Sequence, residues 1–181
     1  MNLKLKEMTT AAIFTALTAI LAQISIPLPF TPVPITFQIF AVFISAIILG
    51  SKLGALSQLV YVLLGAIGAP VFANFTGGLN IVLGPSGGYL ISYPIIAFII
   101  GKISEKELSF VKSIMGLITA LILCYTIGSL QLAFVTKMTI GKSIMVGILP
   151  FIPLDTIKVI LAYILGSRVR VSLIKTSLTQ C

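Results

Sequence analysis

The sequence predicts an all-α fold, a polytopic membrane protein of about six transmembrane helices with both termini cytoplasmic. Three observations carry that prediction. Hydrophobic residues make up 58% of the 181-residue chain and charged residues only 9%, with a mean hydropathy of +1.18. A soluble domain carries roughly 25% charged residues, so this chain has too few to coat a surface facing water. Its apolar residues also fall in runs suited to a hydrocarbon core about 30 Å thick. Finally, twelve Lys and Arg stand against four Asp and Glu, a net +8, mostly in short connectors between those runs. In a soluble chain that excess would suggest nucleic acid. Here it reads as the positive-inside signal of topology, and no nucleic-acid partner is expected.

The first apolar run, 8–26, carries no charge and is long enough to span. It follows Lys4 and Lys6 and ends in prolines rather than a small-residue cleavage site, so it reads as a first helix and not a signal peptide. The stretch PLPFTPVP, 27–34, cannot be helical, because each proline lacks a donor and clashes with the preceding turn. A stiff connector is expected there. A second run covers 35–50, Ser51-Lys52-Leu53-Gly54 makes a tight turn, and a third run covers 55–72. The segment NFTGGLNIVLGPSGG, 74–88, is glycine-rich and non-helical yet weakly polar. The fourth run, 89–101, leads into the most charged connector, KISEKELSFVK at 102–112. The fifth run is 113–135, followed by a loop with Lys137 and Lys142. The last, 144–165, is interrupted by Pro150 and Pro153 and precedes a tail with Arg168, Arg170 and Lys175. The whole chain, 1–181, reads as a single transmembrane domain.

Orientation follows by counting. With the N-terminus inside, the inner connectors and ends hold Lys4, Lys6, Lys52, Lys102, Lys106, Lys112, Arg168, Arg170 and Lys175, nine in all, and the outer ones hold two. That ratio favours both termini in the cytoplasm. The proline-rich and glycine-rich segments then both face outside. Irregular backbone at membrane depth is tolerated only where it is buried in protein or lines a cavity. The glycine-rich segment is therefore expected to fold back as a lid or wall over a pocket open to the outside.

Asp155 and Lys158 are the acid and base that lie well inside an apolar run. A charge at mid-bilayer costs at least about 2.5 to 3.5 kcal/mol, and an intramembrane charge is by default a functional-site candidate. Their i, i+3 spacing puts them on one helix face. Pro153 suits a first helical turn, which places Asp155 on the outer side of the midplane, within reach of the pocket. A mutual ion pair that only neutralises itself is the competing reading. Asn80, Thr76, Gln38 and Tyr89 lie near the outer ends of helices and could hydrogen-bond a ligand, or serve as caps. Cys124, Tyr125 and Gln131 read as packing residues. Ala12 and Ala16 form a small-xxx-small pair that lets helices approach closely. There is no histidine, and Cys124 and Cys181 belong to no CxxC, so neither a metal site nor a cofactor is expected. Gly141-Lys142-Ser143 lacks the first glycine of a phosphate-binding loop, since position 136 is Thr, so any ATP hydrolysis belongs to another polypeptide.

Four segments together resemble the BioY family, the biotin-specific substrate-binding (S) components of energy-coupling-factor (ECF) vitamin transporters. They are PVPITFQ at 32–38, GAIGAPVFA at 65–73, TGGLNIVLGPSGGYL at 76–90 and PLDTIK at 153–158, and the resemblance runs over nearly the whole chain. It implies six helices, an outward pocket for biotin, association with a membrane coupling subunit and two ATPase subunits, and residence in the cytoplasmic membrane of a prokaryote. It implies that Ala12 and Ala16 face the coupling subunit and that Gly77, Gly87 and Gly88 stand beside the ligand. One departure is Leu90, where some relatives carry a basic residue after Gly-Gly-Tyr, so the group that meets the biotin carboxylate is left open. Biotin suits the residues: Asp155 can accept from a ureido N–H, Lys158 can donate to the ureido oxygen or the carboxylate, and Asn80 can do either. Val71 and Phe72 would pack the ring. An S-component for another small vitamin, or a membrane protein acting without ATPases, are the alternatives. An intramembrane enzyme is disfavoured by the missing histidine, nucleophile–base pair and paired carboxylates. A purely structural protein would leave the cost of Asp155 and Lys158 unexplained.

Overall fold

The computed structural model describes residues 5–106 and 110–175. Lys4, Cys181 and positions 107–109 of the charged connector lie outside them. In chain order the elements are α1 (Leu5–Ala22), β1 (Ser25–Leu28), β2 (Thr31–Thr36), α2 (Gln38–Ala66), a 3-10 turn (Ala73–Phe75), α3 (Leu79–Val82), α4 (Gly87–Ser104), α5 (Phe110–Thr136), α6 (Ile140–Gly147) and α7 (Ile152–Lys175). Among the described residues α1, α2, α4 and α5 are each long and apolar enough to cross a membrane, and α6 with α7 forms a fifth candidate bent by 55°.

α2 is not one rod. Gly50 inside it has φ +79 and ψ −176, and the chain reverses there. Gln38 Nε2 donates to the Tyr61 hydroxyl at 2.6 Å although 23 residues separate them, a distance of about 34 Å along a straight helix. Gln58 Nε2 reaches Ser45 Oγ at 2.9 Å, and Gly54 packs against the Ala46 backbone. Residues 38–49 and 51–66 are thus antiparallel arms of a helical hairpin and correspond to the second and third apolar runs. The expected turn at 51–54 shrinks to Gly50, because glycine reaches this backbone conformation without a Cβ in the way. Residues 51–54 are already helical.

The buried reversal leaves helix-end N–H and C=O groups that need partners. Arg170 of α7 donates from Nη1 to the carbonyls of Ile47 (3.0 Å) and Ile48 (3.2 Å), a cation at a helix C-terminus. Glu105, just past α4, accepts from Ser51 N (2.7 Å) and Ser51 Oγ (2.8 Å), an anion at a helix N-terminus. Partial burial raises the Glu105 pKa, but the Ser51 hydrogen bonds and the Lys102 charge outweigh it, so the carboxyl sits below its ordinary value. From the sequence these two residues read only as connector and tail charges. They are what closes this end of the bundle.

At the opposite end the proline-rich connector is an antiparallel hairpin, with Ser25 opposite Thr36, Ile26 opposite Ile35 and Leu28 opposite Thr31. The ladder is irregular across Pro27, which cannot donate. Pro32 and Pro34 stand two apart, so both missing donors fall on one edge, and a two-stranded ribbon has edges to spare. The helical class holds, with this hairpin as its one strand pair among the described residues.

The α2 hairpin is the centre of the bundle, packed by α1, α4 and α7, with α5 against α4. Phe43, Ile47, Tyr61, Ile96 and Leu117 are fully buried there. Where lipid replaces water, close packing and hydrogen bonds hold helices together. Thr15 Oγ1 donates to Ser57 O at 2.8 Å, and Gln58 Nε2 to Thr18 Oγ1 at 3.1 Å, tying α1 to the second arm. The opposite face of α1 leaves Ala12 and Ala16 exposed. Pro153 sits in the first turn of α7 as expected, and α7 continues as helix through the predicted tail.

Candidate functional site

The proline-rich hairpin and the glycine-rich segment meet at the same end of the bundle. They enclose a cavity of about 230 Å³ between the β1–β2 ribbon, the 72–86 segment and the adjoining parts of α4, α5 and α7. That is smaller than most drug-sized ligand pockets, about 300 to 1,000 Å³, and suits a small molecule.

Asp155 is delivered to this cavity by the first turn of α7, where its N–H bonds the Phe151 carbonyl at 2.9 Å. Its carboxylate is held at both oxygens. Oδ1 accepts from Lys158 Nζ at 2.8 Å, and Oδ2 accepts from the Tyr125 hydroxyl at 2.9 Å. Asp155 and Lys158 are only 6% and 5% exposed. Each buried ion costs several kcal/mol of desolvation, repaid only when geometry is good and the remaining donors are satisfied. Lys158 meets that condition. It also donates to Thr36 O at 2.8 Å and stands 5.4 Å from the Phe37 ring centroid. Each carboxylate oxygen keeps a lone-pair site, so Asp155 can still accept from a ligand. Lys158 stands behind Asp155 and does not line the cavity. The structure therefore separates the two roles that the sequence had joined.

Among the other expected residues, Gln38, Phe72, Thr76 and Tyr89 do line the cavity. Gln38 is fixed by Tyr61 at one end of its amide and by the Thr36 hydroxyl (3.0 Å) at the other. Phe72 packs edge-on to Tyr61 at 5.6 Å. The Tyr89 hydroxyl is spent on the Gly147 carbonyl (2.7 Å), so this residue offers its ring. The Thr76 hydroxyl bonds Ala73 O at 2.8 Å and keeps its acceptor lone pair. Asn80 is elsewhere: it is exposed on the short α3 and does not face the cavity. Gly77, Gly87 and Gly88 do not line it either. A Cβ at Gly87 would overlap the Val82 carbonyl, and one at Gly77 the Ala69 carbonyl, so these glycines serve close backbone approach.

Sequence reasoning missed several lining residues. Tyr125 and Cys124, read as packing residues, form the α5 wall, and Tyr93 and Phe151 add aromatic surface. Tyr89 and Tyr93 stand one helical turn apart on α4, an i, i+4 pair that could have flagged that face. Leu90, the departure noted above, is 4% exposed and forms an apolar patch of the wall. Gln131 instead ties the glycine-rich segment to α5, donating to Val82 O and Gly84 O at 2.9 Å each. That segment is the expected wall.

A sequence model of the BioY family matches residues 1–175. The chain is 44% identical over 166 residues to the biotin transporter BioY of Thermotoga maritima, covering 92% of this chain and 96% of that one. It is 43% identical over 168 residues to the probable biotin transporter BioY of Pyrococcus horikoshii, at 93% and 98% coverage. In three dimensions it is similar to the crystal structure of the S-component for biotin from an ECF-type ABC transporter, with a TM-score of 0.84, 32% identity, and 91% and 90% of the two chains covered. On these matches the chain belongs to the BioY family of transporter components, not to a family of enzymes.

Proposed function

We propose that this chain is a biotin-specific S-component. It captures biotin from outside the cell and passes it to an ECF module of one membrane coupling subunit and two ATPase subunits. The supporting observation is the Asp155 carboxylate, buried, doubly held and presented to a small aromatic-lined cavity. Biotin's fused ring is apolar with a polar ureido edge. Asp155 accepts from a ureido N–H as a charge-assisted bond, the stronger kind. The rings of Phe72, Tyr89, Tyr93 and Phe151 pack the bicycle, and the Tyr93 hydroxyl, which has no hydrogen-bond partner among the described residues, donates to the ureido oxygen. The valerate arm runs toward the 74–86 segment, where Asn74, Thr76 and Ser86 offer neutral polar groups.

With each arm of the α2 hairpin counted as one pass and the bent α6–α7 pair as one, the chain makes six passes, an even number that leaves both termini inside. The cavity end then faces outward and the Gly50 end faces the cytoplasm, in the cytoplasmic membrane of a prokaryote. Ala12 and Ala16, on the exposed face of α1, meet the coupling subunit. The direct test is calorimetric titration of the purified protein in detergent with biotin, thiamine and riboflavin. Saturable one-to-one binding of biotin alone is expected. Binding of another vitamin in its place refutes the assignment.

A further inference from the structure

Two consecutive residues in this wall hold a left-handed backbone: Asn74 has φ +58 and Phe75 has φ +54. Asn tolerates this region, but a bulky residue such as Phe is an outlier there. Such a conformation persists only where its surroundings over-determine it. Phe75 is 72% exposed, so packing of its own side chain does not hold it. Gln23, just past the end of α1, does. Its Oε1 accepts from the Phe75 amide at 2.8 Å. Its Nε2 donates to Phe72 O at 3.1 Å and, more weakly, to Val71 O at 3.4 Å. A further bond from Nε2 to Ala19 O at 2.9 Å fixes the side chain to its own helix. Tyr61 supports the same segment through Val71 O at 3.0 Å, and the Phe72 amide closes the turn on Thr76 O at 2.9 Å. Phe72, Ala73, Asn74 and Thr76 all line the cavity, and Gln23 does not.

We propose that Gln23 is a positioning residue for ligand capture. It clamps the left-handed Asn74–Phe75 turn so that Asn74, rather than Asn80, is the carboxamide that meets the ligand. This rests on the reading of the cavity as a biotin site. The Asn74 amide carries two donors and an acceptor and makes no hydrogen bond to the described residues, so its donors are available to the carboxylate end of biotin. With Leu90 apolar and Lys158 engaged behind Asp155, no lysine or arginine among the described residues lines the cavity to take that role. The clamp also joins the end of α1 to the cavity wall, so the helix that carries Ala12 and Ala16 is mechanically continuous with the ligand site.

The test combines biotin titration with hydrogen exchange of the 71–76 segment in the ligand-free protein. Gln23→Leu removes the clamp while keeping bulk. It should raise the biotin Kd by roughly ten-fold, equivalent to 1.4 kcal/mol, and speed exchange at 71–76. Phe75→Gly added to it relieves the left-handed penalty at an exposed position outside the cavity, and most of the lost affinity should return. Asn74→Ala should weaken biotin without changing exchange, and Asn80→Ala should bind like the parent. Parent-like binding by Gln23→Leu overturns the proposal. So does a Gln23→Leu/Phe75→Gly protein that binds no better than Gln23→Leu, because the loss would then come from general damage to α1. If the parent itself does not bind biotin, the functional reading fails, and unchanged exchange in Gln23→Leu would still overturn the clamp on its own.

Discussion

Replacing Lys158 by Met and Asp155 by Asn, singly and together, separates ligand contact from charge neutralisation. Lys158→Met leaves Asp155 buried with Tyr125 as its remaining partner and frees the Thr36 carbonyl. Breaking a buried pair on one side costs about 3 to 5 kcal/mol, so a clear drop in melting temperature is expected. Asp155→Asn strands the Lys158 ammonium in the same way. The double variant removes both charges and should regain most of the stability. Affinity should not follow. A charged hydrogen bond contributes about 1.5 to 3 kcal/mol against about 1 for a neutral one. Biotin binding by the double variant should therefore stay weaker by up to roughly thirty-fold, since each 1.4 kcal/mol is a factor of ten. Stability can be read with a thiol-reactive fluorophore, because Cys124 is buried and free, in a Cys181→Ser background that removes the terminal thiol. Affinity is read by calorimetry. A double variant that binds biotin as tightly as the parent would refute the contact between Asp155 and the ligand.

Gly50→Ala forces a side chain into a nearly glycine-only region, at about 1 to 3 kcal/mol, and sets its Cβ 2.8 Å from Glu105 Oε1, so the melting temperature should fall; an unchanged value would mean that the hairpin turn relaxes freely. Glu105, with its pKa depressed, contributes stability that is present above the ordinary carboxylate range and is lost as pH falls through its lower folded value. Glu105→Gln should therefore melt lower than the parent at neutral pH and converge with it in acid, and parallel pH curves would count against the cap. Bulky residues at Ala12 and Ala16 should leave biotin binding intact and abolish uptake in cells; an equal loss of binding would make that face internal. Cysteines placed near Thr31, Asn80 and Thr139 should label from outside and those near Lys52, Lys106 and Lys175 only from inside, and the reverse pattern would invert the topology.

Composition and local spacing are enough to show that this chain lives in lipid, roughly where its long apolar helices run, and that Asp155 needs a buried partner, although the turn expected at 51–54 lies at Gly50 and a short helix, Leu79–Val82, interrupts the segment expected to be non-helical. These follow from local quantities: run length, proline and glycine chemistry, and the cost of a charge in an apolar run. Pro153 and Asp155 could be placed in one helical turn from spacing alone, and the resemblance of four segments already named the family. The tertiary structure decided which polar groups share a cavity, because that depends on how helices distant in sequence cross. The sequence singles out Asn80, yet Asn74, in the turn tied to Gln23, is the asparagine that lines the cavity. Lys158 could have faced the ligand at its i, i+3 position, but the Thr36 carbonyl, 122 residues away, draws its ammonium behind Asp155. Arg170 and Glu105 looked like ordinary connector charges until the reversal at Gly50 brought unpaired helix ends to them. Whether a polar residue binds, clamps or caps is set by the partner that folding places beside it, and that partner is seldom its neighbour in the chain.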